Sequence, residues 1–555
     1  MRASSYLFKT KFDSYEDFQR NYFLHYNDNF NFAVDVVDAY ANNEPGRLAL
    51  VYCDEDGKNN RNFTFADISE LSRQTAAYLK HLGITKGDRV MVILKRRWEY
   101  WVIAVALHRI GAILIPASYQ LTAKDIIYRV NASNTKLLIA ADDDYVITQV
   151  ELALPECKGL ESLALIRKQR DGWIDFSRGV RNTRERFIAD DTITFDDHLI
   201  IYFTSGTNDL PKMATHSYTY PLGHIVTAGY WQCVEDGGLH YTGADSGWAK
   251  FGWGSFYGQW LCGTAVLGFD AANRFDAKVQ LEVLRTYKPT TVCIPGTIYR
   301  ILMHEGLTKE DFASVKHCCT AGEPLSPSIV EDFRKLTGLT IHEGYGQSES
   351  NVMIANFPWF EARPGSMGKP SPLLNIVLED ADGHICPPNT EGEIVIRSLQ
   401  YGLPEGLIQG YFKNGQVTKA YGDDFKYRTG DIAYRDNDGF YWFVGRNDDI
   451  IKCSAYRIGP FEIESVLITH AAVKECAVTG APDPIRGQVV QATIVLNEGF
   501  NPSEQLTKEI QNYVKNQTAP YKYPRIVRYV ESLPKTNSGK IIRKAIRGEY
   551  GEGKV

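Results

Sequence analysis

Apolar residues fall into short runs with two different periods, and the alternation between them predicts the architecture. After Lys86-Gly87-Asp88, the unbroken run Arg89-Val90-Met91-Val92-Ile93-Leu94 predicts a buried strand. Trp98 to His108 has helical spacing, Gly111 stops it, and Ala112-Ile113-Leu114-Ile115 predicts the next strand. That is a β-α-β unit, which implies parallel strands with helices on the sheet faces. Similar buried-strand runs occur at Lys136 to Ala140, Thr290 to Ile294 and Leu199 to Phe203. The texture changes further along. Asp382-Gly383 and Asp438-Gly439 sit between alternating apolar and polar runs, the signature of hairpins, and predict a small antiparallel, barrel-like segment. Beyond Gly445 a helix is expected over Pro460 to His470, a strand over Val489 to Leu496 and a helix over Pro502 to Asn516. The fold class is therefore α/β. A large N-terminal domain of β-α-β sheets plus a small antiparallel β-barrel (residues 1–445) precedes a small α+β C-terminal domain (residues 446–555).

Composition narrows the function classes. The chain has 555 residues, too many for one ordinary core. Its 44% hydrophobic and 23% charged residues are those of a globular protein, and a net charge of −6 argues against nucleic acid as a partner. Ten cysteines without a CxxC pair, Cys318 and Cys319 adjacent among them, predict reduced and mostly buried thiols. The longest mainly apolar stretch, Trp98 to Ile115, is interrupted by Glu99, His108 and Arg109 and is expected to be a helix running into a strand, with no integral membrane segment. Met1 to Phe30 is polar, aromatic-rich and carries Asp13, Glu16 and Asp17, unlike a targeting signal, so a cytoplasmic or at most peripheral location is expected.

The candidate chemistry lies in five segments. Thr204-Ser205-Gly206-Thr207-Asn208-Asp209-Leu210-Pro211-Lys212 follows a predicted strand; its amides and the Thr204, Ser205 and Thr207 hydroxyls can donate to phosphate oxygens, Gly206 allows close approach, and Lys212 is a compact cation. Thr320-Ala321-Gly322-Glu323-Pro324 ends in a rigid turn suited to a flat base. Glu343-Gly344-Tyr345-Gly346-Gln347-Ser348-Glu349 combines an aromatic face, two close-approach glycines, a hydroxyl and a carboxylate able to hold a hard cation. Asp431, after Tyr427-Arg428-Thr429-Gly430, can accept both hydroxyls of a ribose, and Lys540 follows Ser538-Gly539 near the C-terminus. No glycine-lysine followed by serine or threonine is present, so a Walker-type P-loop is excluded.

In this order the segments resemble the adenylate-forming superfamily of acyl-CoA synthetases, adenylation domains and luciferases, over roughly residues 30–547. Lys212 to Ser217, Asp245 to Lys250, Tyr456 to Pro460 and Ala519 to Arg525 look like the medium-chain acyl-CoA synthetase branch, which includes benzoate-type ligases. The resemblance implies an acid-thiol ligase of fatty acid and lipid metabolism: a carboxylate attacks the α-phosphorus of ATP, giving acyl-adenylate and pyrophosphate, and the thiol of coenzyme A then releases AMP. It implies ATP, magnesium and coenzyme A as cofactors. By the same resemblance Thr204 to Lys212 grip the β- and γ-phosphates, Glu349 ligates magnesium and Ser348 contacts the α-phosphate. Gly322, Glu323, Pro324 and Tyr345 enclose adenine, with Glu343, Gly344, Gly346 and Gln347 part of the AMP site. Asp431 takes the ribose with Arg446 nearby, and Lys540 bridges the attacking carboxylate and the α-phosphate. The small domain is mobile in the family, which places the hinge at Asp448. Lys452 to Tyr456, including Ser454, Ala455 and Tyr456, then line the thiol channel, while Arg486 and Lys515 meet the coenzyme A phosphates.

Trp248, with Gly346, walls the acyl pocket by the same resemblance, within the aromatic- and glycine-rich stretch Asp245 to Trp260. Such a lining suits an apolar acid of moderate size, whether medium-chain, branched or aryl. Three positions depart from the family pattern. Asn208-Asp209 places a carboxylate near pyrophosphate, Ser348 replaces threonine, and Ala455 replaces a glycine beside the thiol channel. Asp209 and Ala455 keep open a second reading, a stand-alone adenylating enzyme that passes its acyl group to an amine or a carrier-protein thiol. The residues leave open whether two copies form a homodimer.

Overall fold

The computed structural model describes residues 2–551 except 56, 58–59, 205–209, 272–274, 324, 454–455, 485, 520 and 537–539. Two compact units emerge. One takes in residues to 204, 211–375 and 398–425; the other takes in 376–397 and those from 426 on.

The first unit holds two nine-stranded sheets. In one, Ile113–Pro116, Arg89–Ile93, Leu137–Ala140, Ser162–Leu165 and Ile174–Asp175 run parallel, with His198–Thr204 joining Ile113–Pro116 on the other flank. Lys212–Ser217 then pairs antiparallel with His198–Thr204, and Gly410–Lys413 with Lys212–Ser217. The second sheet carries six parallel strands, from Ile341–Tyr345 through His317–Ala321, Thr291–Cys293, Leu239–Thr242 and Ala265–Asp270 to Leu48–Asp54.

The first β-α-β unit shows why the sequence folds this way. The helix spans Glu99–Ile110 and ends on Gly111, whose φ of +79° is the left-handed cap that favours glycine. Every residue of this helix is buried, so its three polar side chains each need a partner. Glu99 accepts two hydrogen bonds from Arg167 at 2.5 and 2.7 Å, His108 meets the Tyr257 hydroxyl at 3.0 Å, and Arg109 grips both oxygens of Asp38 at 2.6 and 2.8 Å. These contacts explain how a nearly apolar helix carries charge inside a globule. No helix among the described residues is long and apolar enough to cross a membrane. The N-terminal segment is part of this core: Leu7, Phe12, Phe18, Tyr22 and Phe30 are buried in it. All ten cysteines are free thiols.

The second unit contains the expected antiparallel segment as a four-stranded sheet ordered Ile376–Glu379, Gly392–Ile396, Tyr427–Arg435, Tyr441–Arg446. Both hairpin signals are realised: Gly383 and Gly439 have φ of +82° and +84°, and Asp436 closes its turn by donating from its amide to the Phe440 carbonyl at 2.9 Å. The remainder is α+β. Gly487–Leu496 and Val473–Asp483 form a long antiparallel pair, with Ile526–Tyr529 parallel to the former and helices Pro460–Leu467 and Glu504–Gln517 burying Ile463, Leu467, Ile510 and Val514 against it.

Candidate active site

The phosphate-loop segment links two antiparallel strands whose register sets Thr204 opposite Lys212. The loop's ends are therefore fixed to one another by the sheet. Thr204 is buried and Lys212 exposed. Lys212 stands over the ring of Tyr411, with Nζ 5.1 Å from the centroid. Tyr411 lies on Gly410–Lys413 opposite Ala214 and donates its hydroxyl to Oε1 of Glu349 at 3.0 Å. The Glu349 carbonyl accepts from the Ile408 amide at 2.9 Å, so main chain and side chain are both held. Thr204, Lys212, Ser348 and Glu349 thus share one strand neighbourhood, joined through Tyr411 and through His216, whose Nε2 lies 2.8 Å from the Ser348 carbonyl. The Ser350 hydroxyl accepts from the Gln347 amide at 3.3 Å and tightens the same turn.

Glu343, on strand Ile341–Tyr345, is buried and braces the neighbouring loops. It accepts from the Leu325 amide at 3.3 Å and the Gly365 amide at 2.8 Å. Burial pushes its carboxyl up to about 7, against the pull of those two amides. Glu323 turns its carboxylate onto the first turn of helix Gly296–His304, accepting from the Thr297 amide and hydroxyl at 2.6 and 2.7 Å. Gly322 has φ +96°, and Lys250 donates to the Ala321 carbonyl at 2.5 Å. Two glycines on this segment are steric necessities: a Cβ on Gly344 would lie 2.5 Å from the Trp231 ring, and one on Gly346 would lie 2.4 Å from the Trp253 ring and 2.5 Å from the Asn351 carbonyl.

In the stretch Asp245 to Trp260, Phe251, Trp253, Phe256, Tyr257 and Trp260 are core residues, while Trp248 is only half-buried, directly before helix Ala249–Gly254. Asp245 accepts from the Gly247 amide at 2.8 Å and burial pushes its carboxyl up to about 6.

In the second unit Asp431 and Arg446 are cross-strand partners, with Arg446 Nη1 at 3.3 Å from Asp431 Oδ1. Arg446 Nε lies 3.6 Å from Asp448, which is exposed. Lys540 is exposed at the end of a turn in which its carbonyl accepts from the Thr536 amide at 2.7 Å. Tyr456 stacks on Tyr521 at 4.0 Å, Lys515 lies 5.9 Å from the Tyr523 ring, and Arg486 is exposed. Ser205, Gly206, Thr207, Asn208, Asp209, Pro324, Ser454 and Ala455 lie outside the described residues.

An exposed cation, Lys212, and a carboxylate, Glu349, are thus gathered around Tyr411, with the Ser348 main chain held beside them by His216. The AMP-binding enzyme pattern matches residues 37–412, and its C-terminal domain pattern matches residues 462–540. The chain belongs to the AMP-binding enzyme family. It is 40% identical over 546 residues to the mitochondrial acyl-coenzyme A synthetase ACSM3 of Rattus norvegicus, covering 97% of this chain and 93% of that one. It is 42% identical over 537 residues to the mitochondrial ACSM4 of Homo sapiens, covering 95% and 91%. Among solved structures, an anthranilate CoA ligase in complex with anthranoyl-AMP superposes with a TM-score of 0.83 at 27% identity, covering 94% of this chain and 98% of that one. A benzoate CoA ligase from Burkholderia xenovorans gives 0.80 at 26%, covering 93% and 100%. The family member described here is an ATP-dependent acid-thiol ligase of the acyl-coenzyme A synthetase type, working on a carboxylic acid, ATP with magnesium, and coenzyme A. The donor chemistry fits magnesium: Glu349 offers a steadied, half-buried carboxylate, the hard oxygen ligand that cation takes.

Neither Tyr411 nor His216 is a candidate site residue on sequence grounds. His216 falls inside Lys212 to Ser217, which carried the family likeness, but Tyr411 lies far along the chain with no local chemical signal.

Proposed function

We propose that this enzyme activates an apolar medium-chain, branched or aryl acid as acyl-AMP and passes it to coenzyme A. The observation that carries this reading is the gathering of Lys212, at the start of its strand, with Ser348 and Glu349, in the turn that His216 and Tyr411 hold against that strand and its neighbour. Thr204, Lys212 and the intervening loop hold the β- and γ-phosphates, and Ser348 meets the α-phosphate. Bound at Glu349, magnesium offsets phosphate charge. Gly322, Glu323, Pro324, Tyr345 and the segment Glu343 to Gln347 frame the base. The Glu323 and Glu343 side chains, turned to Thr297 and to the Leu325 and Gly365 amides, favour a bracing role for these two. Asp431, oriented by Arg446, accepts the ribose hydroxyls.

In the first half-reaction an acid oxygen bonds to the α-phosphorus and the bond to pyrophosphate breaks; Lys540 neutralises the charge that builds there. In the second, the coenzyme A sulfur bonds to the acyl carbon, AMP leaves, and the thiol proton passes to solvent. Residues 1–445 and 446–555 act as the two domains, pivoting at Asp448. Tyr456, with Ser454 and Ala455, lines the thiol path, and Arg486 and Lys515 take the coenzyme A phosphates; their exposure supports contact with a charged ligand. Trp248 and Gly346 bound the acyl pocket. Selection by chain length is shallow, since one methylene is worth about 1–3 kcal/mol.

The test is a two-stage assay over a panel of carboxylic acids. Pyrophosphate release with acid and ATP, followed by thioester on adding coenzyme A, is expected. Release without thioester favours transfer to an amine or carrier thiol. Lys540→Ala is expected to abolish pyrophosphate release yet spare thioester formation from supplied acyl-AMP; survival of both half-reactions refutes its role. The relatives' names place them in mitochondria, against the cytoplasmic expectation drawn from residues 1–30. Cell fractionation with a C-terminal tag separates the two compartments.

A further inference from the structure

We propose that Tyr411 is a positioning residue for adenylation, holding the Glu349 carboxylate in its metal-binding orientation and presenting its ring to Lys212. This rests on the reading of Glu349 as the magnesium ligand. The strand Gly410–Lys413 has no phosphate-binding motif of its own, yet it pairs with the strand that begins at Lys212 and sets Tyr411 opposite Ala214. From there one side chain serves two groups. Its hydroxyl donates to Glu349 Oε1 at 3.0 Å, and its ring face lies 5.1 Å from Lys212 Nζ.

An ionised carboxylate has about four lone-pair sites, so the Tyr411 hydroxyl can occupy one of them and restrict rotation without itself blocking a metal. The main-chain bond from Ile408 to the Glu349 carbonyl, at 2.9 Å, fixes the other end of the same residue. Lys212 is exposed and carries a long flexible stem, and an aromatic face within about 6 Å attracts an ammonium. The tyrosine thus couples the positions of the two charges that flank the triphosphate: one ring and one hydroxyl set the spacing between them.

Tyr411→Phe keeps the ring and removes only the hydroxyl; Tyr411→Leu removes both. Manganese serves as the probe, its binding to the enzyme–ATP complex read by electron paramagnetic resonance. Tyr411→Phe is expected to weaken manganese about 10-fold, the scale on which groups that orient metal ligands act. The magnesium concentration for half-maximal pyrophosphate release should rise by the same factor, with metal-free ATP affinity and melting temperature near wild type. Tyr411→Leu should in addition weaken metal-free ATP binding. Manganese affinity within twofold of wild type in Tyr411→Phe, read well below its melting temperature, overturns the proposal. Glu349→Gln separates the two levels. If it leaves manganese affinity unchanged, the assignment of Glu349 itself fails; if it weakens manganese and Tyr411→Phe does not, only the role of Tyr411 fails.

Discussion

His216 donates from Nε2 to the main-chain carbonyl of Ser348 at 2.8 Å, so the strand leaving the phosphate loop fixes the residue assigned to the α-phosphate. A carbonyl only accepts, which sets the tautomer: the proton sits on Nε2. Burial lowers the imidazole pKa to about 4, keeping the ring neutral at physiological pH. Tyr220, with its ring centre 4.2 Å away, fills the space beside it.

His216→Ala removes that donor and opens a hole beside Tyr220. A buried carbonyl left unpaired and a partly collapsed cavity together cost about 2–4 kcal/mol. A shift of the Ser348 main chain by about 1 Å costs adenylation on the order of 100-fold. Pyrophosphate release should fall steeply while the KM for coenzyme A, measured with supplied acyl-AMP, stays put. Unchanged pyrophosphate release in a folded variant would separate His216 from the chemistry.

Gly346 offers a sharper steric probe. A methyl there must displace the Trp253 ring, which is buried and cannot swing to solvent, or the Asn351 carbonyl, whose side chain is tied to Gly223 at 2.7 Å. Gly346→Ala is expected to raise the KM for the acid more than that for ATP and to destabilise the fold by about 1–3 kcal/mol, the usual cost of overpacking. Equal effects on both substrates would argue that Gly346 serves packing alone.

The regular parts of this fold are legible because local and tertiary preferences agree. Arg89–Ile93, Glu99–Ile110 and Ile113–Pro116 fall where period, stop signal and length all point one way. The hairpins at Gly383 and Gly439 follow from Asp-Gly turns that accept positive φ. Glu343 stood in a motif among ligand-facing residues, and its sequence position gave no sign that its carboxylate is buried beneath two amides. Tyr411 could not be read at all: its partners Lys212 and Glu349 are remote in sequence, and only strand pairing creates the contact.

Asp448 tests the hinge. It is exposed, 3.6 Å from Arg446 Nε, while the adjacent Asp449 is buried and paired with Arg547 at 2.8 Å. A buried, anchored Asp449 beside an exposed Asp448 with one long ion pair suits a pivot at position 448. Proline fixes φ near −65°, so Asp448→Pro should slow thioester formation at least 10-fold more than adenylation if the chain must rotate there. Stopped-flow comparison of the half-reactions reads this directly, and parallel losses would indicate simple destabilisation.

Stability should fall on acidification, and the sign follows from two opposed sets of groups. His108, His216, His224, His240 and His317 are held neutral by burial, with pKa values of about 3 or 4. Each takes up a proton on unfolding below its ordinary value near 6.5, so the stability it contributes is present above that pH and is lost as pH falls toward 4. Glu343 and Asp245, pushed up to about 7 and 6, act the other way and favour the folded state as pH drops through those values. Glu99 and Asp35 are raised by burial in the same sense as those two carboxyls, and His342 is lowered like the other imidazoles. Between about pH 6 and 4.5 the buried imidazoles still outnumber the raised carboxyls, so unfolding consumes protons; each net proton is worth about 1.4 kcal/mol per pH unit. Asp38, held below the ordinary carboxylate range by Arg109 against the effect of its burial, extends the loss to lower pH. Urea denaturation midpoints should therefore fall from pH 7 to pH 5. His240→Asn, which keeps a polar group beside the Thr291 hydroxyl now 2.7 Å from Nδ1, should flatten that slope by about one proton. A midpoint that rises on acidification would mean that the carboxyls dominate and that these imidazoles are charged in the fold.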